Sequence, residues 1–135
     1  MRKYAIAAIP ADGIGVEVIA AGLEVLDTVA ESDGGFKLAV TSLPWGCDYY
    51  LEHGCMMPAD GLETLRAFDA IFFGAVGAPS VPDHISLWGL RLAICQGFDQ
   101  YANVRPTRAL PGIDTPLRGG EGIDWVIVRE NTEGE

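Results

Sequence analysis

The feature that most constrains the fold is an apolar segment that ends in a glycine-rich turn and runs directly into a helical pattern. Residues 3–9 read KYAIAAI, a short apolar run followed by turn residues, which predicts a buried β-strand. The turn reads Asp12-Gly13-Ile14-Gly15, and apolar residues at helical spacing continue to about residue 30. A buried strand that feeds a helix in this way predicts an α/β layer.

The same alternation continues along the chain. Strands are predicted over 36–43 and 69–76, and the second of these is apolar on both faces, as strands of parallel sheets usually are. A helix is predicted over 86–98, and extended segments over 102–108 and 124–129. The order of these elements predicts an α/β fold with a largely parallel sheet.

The charge of the chain limits its partners. Asp and Glu number 19 and Lys and Arg number 9, which gives a formal net charge of −10. A surface this acidic repels phosphate backbones and anionic lipids, so neither nucleic acid nor a membrane is an expected partner. No long apolar run predicts a membrane span, and the apolar stretch near the N-terminus is too short for a signal peptide. We therefore expect a cytoplasmic protein.

The cysteines predict neither a disulfide framework nor a metal site. Cys47, Cys55 and Cys95 are odd in number and form no C-x-x-C motif. Cys47, His53 and Cys55 lie close in sequence, but no fourth ligand has a suitable spacing. We interpret them as half-buried residues around a short helix, and assign no metal ligand within the chain.

The turn at residues 12–15 lies where backbone N–H groups can meet a phosphate or a carboxylate. A dinucleotide-binding fingerprint would need a third glycine at position 18, which is Val18 in this chain. On physical grounds alone, a tight β-to-α connection that requires glycine torsions is the better explanation of the turn.

Arg105 and Arg129 are the candidates for binding a ligand. Each lies in or at the end of a predicted strand, and open α/β sheets bind ligands beyond the carboxyl ends of their strands. A guanidinium donates two parallel hydrogen bonds to a carboxylate, so two arginines in one crevice suit a small di- or tricarboxylate. Surface salt bridges with the 19 acidic residues are the competing interpretation.

Four segments, in order and at suitable intervals, carry a family resemblance. They are IPADGIGVEV, FFGAVGAPSVPDHISLWG, FDQYANVRPTR and VIVRENTEGE. Together they resemble the N-terminal part of the metal-dependent β-decarboxylating dehydrogenases, which include the isopropylmalate, isocitrate and homoisocitrate dehydrogenases. The segments VPDHISLWG and RENTEGE are most similar to the tartrate and D-malate dehydrogenase branch.

The resemblance implies a reaction and an isopropylmalate dehydrogenase-like fold. NAD⁺ takes a hydride from a small 2-hydroxy dicarboxylic acid such as tartrate or D-malate, with or without loss of CO₂, and Mn²⁺ or Mg²⁺ polarises the oxygens. It also implies a homodimer in which the partner completes each site. Residues 1–102 are expected in the first α/β domain, and residues 103–135 are expected to cross into an incomplete second domain.

The resemblance also assigns residues by position. Arg105 and Arg129 match substrate-binding arginines, Arg91 is given a lesser carboxylate-binding role, and Asn103 supports the site as a polar neighbour. Four residues match the turn near the nicotinamide end of the cofactor: Asp12, Gly13, Ile14 and Gly15. No catalytic residue is assigned, because the family's tyrosine would be residue 136, just after the NTEGE segment, and its lysine and metal-binding aspartates are expected further on.

Two regions depart from the family pattern. Ala11 replaces the first glycine of the family's turn, which usually reads Gly-Asp-Gly-Ile-Gly. Cys95 stands ten residues before Arg105, where the family has a substrate arginine, and Gln96 replaces a second arginine common in this branch. Arg91 is gained at a position that is normally apolar. One positive charge is therefore lost and another is gained nearby.

Three alternatives to an active dehydrogenase of the tartrate or D-malate type stay open. The 135-residue chain is expected to be inactive by itself, so it can be a folded, inactive fragment. It can also be a non-catalytic subunit that pairs with a complete relative. Finally, Arg91 can bind the distal carboxylate of a longer acid, which would give an isopropylmalate- or homoisocitrate-type specificity.

Overall fold

The computed structural model describes residues 1–131, and the chain divides into two compact units, Met1–Ile94 and a second that begins at Cys95. The first unit contains strands β1 (Arg2–Ala11), β2 (Phe36–Ser42) and β3 (Ala70–Ala75), helices α1 (Ile14–Asp33), α2 (Cys47–His53), α3 (Gly61–Leu65) and α4 (Asp83–Ser86), and a π-helical turn (Leu87–Arg91). Helix α5 (Leu92–Gly97) leads into the second unit, which contains strands β4 (Ala102–Arg108) and β5 (Asp124–Glu130) and a 3₁₀ turn (Gly120–Gly122). The domain boundary predicted after residue 102 concerns the whole protein and stays a prediction.

The first unit is built on a parallel three-stranded sheet with the strand order β2-β1-β3. Strand β1 is central, and Ile6 pairs with Val40 on one side and with Ala70 on the other. The middle of β1 is buried because neighbouring strands flank both of its edges, and Ile9 is completely inaccessible to solvent. The predicted parallel α/β layer is confirmed in this unit.

Helix α1 packs on this sheet through a close approach at Gly22. A Cβ atom at Gly22 would lie 2.6 Å from a ring carbon of Phe72 in β3, so the helix rests directly on that ring. The helix ends at Gly34, which adopts a left-handed conformation (φ +68°) and donates its N–H to the carbonyl of Ala30. In the described part of the chain, neither this helix nor any other is long and apolar enough to cross a membrane.

The segment predicted as one helix over 86–98 contains a π-helical turn. The N–H of Leu92 donates to the carbonyl of Leu87, five residues earlier, so one extra residue is accommodated before α5 begins. Leu90, within this turn, and Ile94, in α5, are both buried. The π turn therefore keeps the apolar side of the helix in the core and gives Arg91 a different angular position from the one it has in a regular α-helix.

Strands β4 and β5 form an antiparallel two-stranded ribbon. The parallel pairing predicted for the sheet therefore holds for β1–β3 but not for β4 and β5. Side chains that are directly opposite in the ribbon point to the same face, and alternate residues point to opposite faces. The face that we call the apolar face carries Ala102, Val104, Pro106, Arg108, Asp124, Val126, Val128 and Glu130. The face that we call the arginine face carries Asn103, Arg105, Thr107, Trp125, Ile127 and Arg129.

We expect the 135-residue chain to self-associate through the apolar face of the ribbon. Val104, Val126 and Val128 are 57%, 66% and 65% exposed, and a two-stranded ribbon offers unpaired edges to other chains. The net charge of −10 opposes association but does not cover this surface. Sedimentation velocity should show oligomers, and Val128→Lys should shift them toward the monomer.

Thr107→Lys is the matched control for this prediction, because it adds the same charge to the arginine face. We expect it to leave the sedimentation profile unchanged. A single monomeric species for the unmodified chain, together with a sharp two-state thermal transition, would contradict the prediction.

Candidate functional site

The carboxyl ends of β1, β2 and β3 meet at one edge of the parallel sheet, the location at which α/β proteins bind their ligands. An open cavity of about 250 Å³ lies at this edge. Its walls include Ala11, Asp12, Trp45, Gly46 and Tyr49. The turn predicted to lie near a cofactor therefore borders a cavity.

Asp12 is buried, and both oxygens of its carboxylate accept hydrogen bonds from the fold itself. Oδ1 accepts the N–H of Cys47 at 2.7 Å, and Oδ2 accepts the N–H of Gly77 at 2.8 Å. The backbone N–H of Asp12 donates to the carbonyl of Ala75 at 2.7 Å. Because Cys47 follows β2 and Gly77 follows β3, this one residue ties together the segments that leave all three strands.

The Cys47 thiol belongs to the same cluster. Burial raises the pKa of the Cys47 thiol to about 11, the hydrogen bond and the negative charge of Asp12 act in the same direction, and the N–H groups of Gly77 and Ala78 oppose them. A thiol with this pKa stays protonated at neutral pH and is therefore a poor nucleophile. All three cysteines are free.

Of the four residues predicted to bind a cofactor, two are buried and two are exposed. Asp12 and Gly15 are buried, whereas Gly13 and Ile14 are exposed. A Cβ atom at Gly15 would lie 2.5 Å from the backbone nitrogen of Ala75, so α1 begins closer to the sheet than any side chain allows. Open space surrounds Gly13, where nothing lies within 4 Å of a Cβ position. Their role in cofactor binding stays a prediction, and Gly13 and Ile14 are the two that a ligand can reach.

Ala11, which replaces a glycine of the family pattern, has a strained backbone. Its φ is +57°, in the left-handed region that costs a non-glycine residue roughly 1–2 kcal/mol. Strained residues of this kind tend to occur at functional sites, and Ala11 lies in the wall of the cavity.

Arg105 and Arg129 lie on the same face of the β4–β5 ribbon. Arg105 is opposite Ile127 and Arg129 is opposite Asn103, so the two arginines are diagonal neighbours, with Cα atoms about 7–8 Å apart. Nε of Arg105 donates to Oδ1 of Asn103 at 3.3 Å, which orients the guanidinium. The structure thus brings together three of the residues that the sequence singled out.

A third arginine of the ribbon, Arg108, points to the opposite face. Its Nη2 lies 2.8 Å from Oδ2 of Asp124, in an exposed ion pair. Arg108 therefore shares the ribbon with Arg105 and Arg129 but has its own partner and faces away from them.

Arg91 and Cys95 lie on either side of the boundary between the two units. Arg91 is the last residue of the π turn and is half-buried, and Cys95, in α5, is also half-buried. π turns occur frequently at functional sites. The substrate role of Arg91 stays a prediction, and residues 132–135 of the NTEGE segment lie outside the described residues.

The sequence did not reveal the partners of Asp12. An aspartate directly after a buried strand and before a glycine turn is a signal for a buried acceptor, but the donors are 35 and 65 residues away along the chain. No rule of residue spacing covers such distances, so the sequence indicates Cys47 only as a half-buried residue near a short helix and assigns no role to Gly77.

Fold and sequence together define an α/β chain with a candidate ligand site. A parallel sheet carries a glycine turn and a cavity at its carboxyl edge, and a separate ribbon presents two arginines on one face. The sequence profile of the family described as isocitrate/isopropylmalate dehydrogenase matches residues 5–135. The chain belongs to this family, which confirms the resemblance noted in its motifs.

Two relatives and one solved structure show what the chain is similar to within this family. It is 70% identical, over its whole length, to a probable tartrate dehydrogenase/decarboxylase of Agrobacterium vitis, and 54% identical to the D-malate dehydrogenase [decarboxylating] of Escherichia coli (strain K12). It spans 38% of the length of each. The crystal structure of a β-decarboxylating dehydrogenase from Thermococcus kodakarensis in the apo form has a TM-score of 0.69 at 34% identity, with 97% of this chain and 35% of that chain covered. The predicted isopropylmalate dehydrogenase-like fold is confirmed.

Proposed function

We propose that this chain is the part of an NAD-dependent dehydrogenase that holds the carboxylates of a small 2-hydroxy dicarboxylic acid such as tartrate or D-malate. The observation that carries the proposal is the arginine face, where two guanidinium groups stand as diagonal neighbours. Each guanidinium can bind one carboxylate with two parallel hydrogen bonds. The names of the relatives, which refer to tartrate and D-malate, support this substrate class.

The residues of this chain would bind and orient the substrate. Arg105, whose guanidinium Asn103 orients, and Arg129 would hold the two carboxylates and so limit the rotation of the carbon that loses its hydride. When bound, NAD supplies the hydride acceptor. Gly13 and Ile14 would contact part of the cofactor, since both are exposed in the turn whose neighbouring residues line the open cavity of about 250 Å³. Oxidation follows with or without loss of CO₂.

A divalent metal, Mn²⁺ or Mg²⁺, is the second expected cofactor. The residues described here do not fit it, because within residues 1–131 no group of three His, Cys, Asp or Glu side chains could hold a metal ion. The roles assigned above to Arg105, Arg129 and the turn do not depend on a metal, and we expect its ligands beyond residue 135.

The charge of the chain and the family resemblance support our proposal for partners and location. We expect the full-length protein to be a cytoplasmic homodimer whose partner is a small hydroxy acid. Neither nucleic acid nor a membrane is expected, because a net charge of −10 disfavours contact with phosphate-rich surfaces.

A specific observation favours a second candidate function. By the family resemblance, Cys95 stands where a substrate arginine is expected, which favours a non-catalytic subunit, or an inactive fragment, over an enzyme. The nearby Arg91 favours instead a longer acid with a distal carboxylate, as in an isopropylmalate- or homoisocitrate-type enzyme. Activity measurements on a complete protein distinguish these alternatives.

The decisive experiment replaces the matching segment of the Agrobacterium vitis relative with these 135 residues. We expect the chimera to reduce NAD with D-malate or tartrate in the presence of Mn²⁺, measured as NADH absorbance. The 135-residue chain alone should show no turnover above a no-protein control, because it spans only 38% of that relative's length.

The unmodified relative is the control for the assay. A chimera without activity beside an active relative would contradict the proposed function and support a non-catalytic role. Turnover by the isolated chain would contradict its predicted inactivity.

Restoring the arginine at position 95 should strengthen substrate binding. In the chimera, Cys95→Arg should lower the KM for D-malate by about 10–150-fold, which corresponds to the roughly 1.5–3 kcal/mol of a hydrogen bond to a charged group. Arg91→Leu should raise the KM if Arg91 partly replaces the lost charge. Steady-state kinetics of both single variants and of the double variant measure the two contributions. If neither single variant changes the KM, the idea of compensation between these positions is wrong.

A further inference from the structure

We infer that Asp12 and Cys47 are positioning residues, which fix the carboxyl edge of the sheet for the nicotinamide cofactor without touching it. The inference rests on the proposed function, because it assigns these residues a task in NAD binding. It differs from the family-based prediction for Asp12, which placed this residue among those that contact the cofactor. We call the pair, with its backbone donors, the Asp12–Cys47 clamp.

The carboxylate of Asp12 is directed into the fold. The residue is only 7% exposed, and its two oxygens face the N–H groups of Cys47 and Gly77 at 2.7 and 2.8 Å. Hydrogen bonds to an ionised group are roughly twice as strong as neutral ones, so this side chain is held firmly by the loops it joins. A carboxylate held in this way shapes the cavity wall, and both of its oxygens already accept hydrogen bonds from the fold.

Cys47 adds a second connection between the same loops. Its backbone N–H donates to Oδ1 of Asp12, and its buried thiol lies close enough to the Asp12 side chain and to the N–H groups of Gly77 and Ala78 for these groups to shift its pKa. The residue is 1% exposed. Buried networks in which every member is satisfied rigidify their surroundings, and a partly broken network is costly.

The clamp also supports one wall of the cavity. A Cβ atom at Gly46 would lie 2.7 Å from Oδ1 of Asp12, so the segment that contains the buried Trp45 packs directly on the carboxylate. Ala11 and Gly46 line the cavity next to Asp12. Loss of the clamp should therefore change the shape of the cavity in the first unit, whereas the arginine face belongs to the second unit.

The first test is kinetic and uses the chimera. Asp12→Asn keeps the size of the side chain but places an amide group against one of the two N–H donors. We expect the KM for NAD to rise about tenfold, while the KM for D-malate changes less than about twofold. Cys47→Ala should also raise the KM for NAD, and Cys47→Ser, which keeps a hydrogen-bonding group, should restore most of it.

Asp69→Asn is the matched control. Oδ2 of Asp69 likewise accepts a backbone N–H, that of Ala5 at 2.7 Å, but it lies just before β3 at the opposite end of that strand. We expect this variant to leave the KM for NAD unchanged. Equal effects of Asp12→Asn and Asp69→Asn, or an unchanged KM for NAD in Asp12→Asn, would overturn the positioning role.

The second test does not depend on activity. Hydrogen–deuterium exchange of the 135-residue chain should be faster in Asp12→Asn than in the unmodified chain for peptides that contain Cys47 and Gly77, and unchanged there in Asp69→Asn. An unchanged hydrogen–deuterium exchange rate in Asp12→Asn would show that the clamp does not hold these loops. An inactive parent chimera would instead overturn the proposed function and the cofactor role with it, and the exchange data would still decide whether the clamp exists.

Discussion

Alanine in place of Arg105 or Arg129 should raise the KM of the chimera for D-malate by about 10–150-fold for each arginine. Each substitution removes hydrogen bonds between a charged donor and a carboxylate, which are worth roughly 1.5–3 kcal/mol. The two arginines are diagonal neighbours on one face of the ribbon, so the loss of one leaves a substrate carboxylate without its partner. Steady-state kinetics with D-malate and with tartrate measure the effect.

Arg108→Ala is the control that the ribbon itself provides. Arg108 lies on the same strand as Arg105, but it points to the apolar face and pairs with Asp124 at 2.8 Å. Exposed ion pairs contribute about 0–1 kcal/mol, so this variant should fold normally and change the KM less than about twofold. If Arg108→Ala weakens binding as much as Arg105→Ala, the arginine face is not a carboxylate-binding surface.

Gly15→Ala should destabilise the chimera by about 3 kcal/mol or more. A Cβ atom at position 15 would lie against the carbonyl oxygen of Pro10 and 2.5 Å from the backbone nitrogen of Ala75. Both atoms belong to strands of the sheet and cannot move aside as a side chain can, so the start of α1 must separate from the sheet. Urea unfolding measures the loss of stability.

Gly13→Ala separates this steric effect from the ordinary cost of replacing a turn glycine. Gly13 has a φ of +53° and nothing within 4 Å of its Cβ position, so alanine there should cost only about 1–2 kcal/mol. Equal destabilisation by the two variants would mean that α1 does not require the close approach at Gly15.

The first sheet was predictable from the sequence because its strands are short, apolar and bounded by turn residues. Strand β1 carries the run KYAIAAI, and it is buried because it is central in the sheet. Strand β4 was predicted at its observed bounds, and Pro106 within it keeps the preceding residue extended. Helix α1 was predicted to end three residues too early, because Gly34 is the residue whose left-handed conformation ends it.

The π turn and the ribbon pairing could not be predicted in the same way. In the segment LWGLR, no residue type marks a hydrogen bond that spans five residues. The antiparallel pairing of β4 with β5 depends on a contact across the intervening loop, which alternation of polar and apolar residues does not specify.

The residues of the candidate site could be predicted from the sequence, but their arrangement in space could not. Arg105 and Arg129 stood out because they lie on predicted strands, yet only the register of the ribbon places them on one face. Asp12 was identified at the turn, but its position next to Cys47 and Gly77 depends on the packing of three loops. Residue types indicate the chemistry, and long-range packing decides which of these groups face a ligand.

We propose that this chain binds the two carboxylates of a hydroxy dicarboxylic acid. The most direct test compares kcat/KM of the chimera for D-malate and for D-lactate, which has the same hydroxyl-bearing carbon but lacks the second carboxylate. Because one guanidinium has no partner on D-lactate, we predict a preference for D-malate of about 100-fold. Of Arg105→Ala and Arg129→Ala, the variant that lacks the arginine for the second carboxylate should lose most of this preference, and the other should lower kcat/KM for both acids. Equal kcat/KM values for the two acids would contradict the proposal.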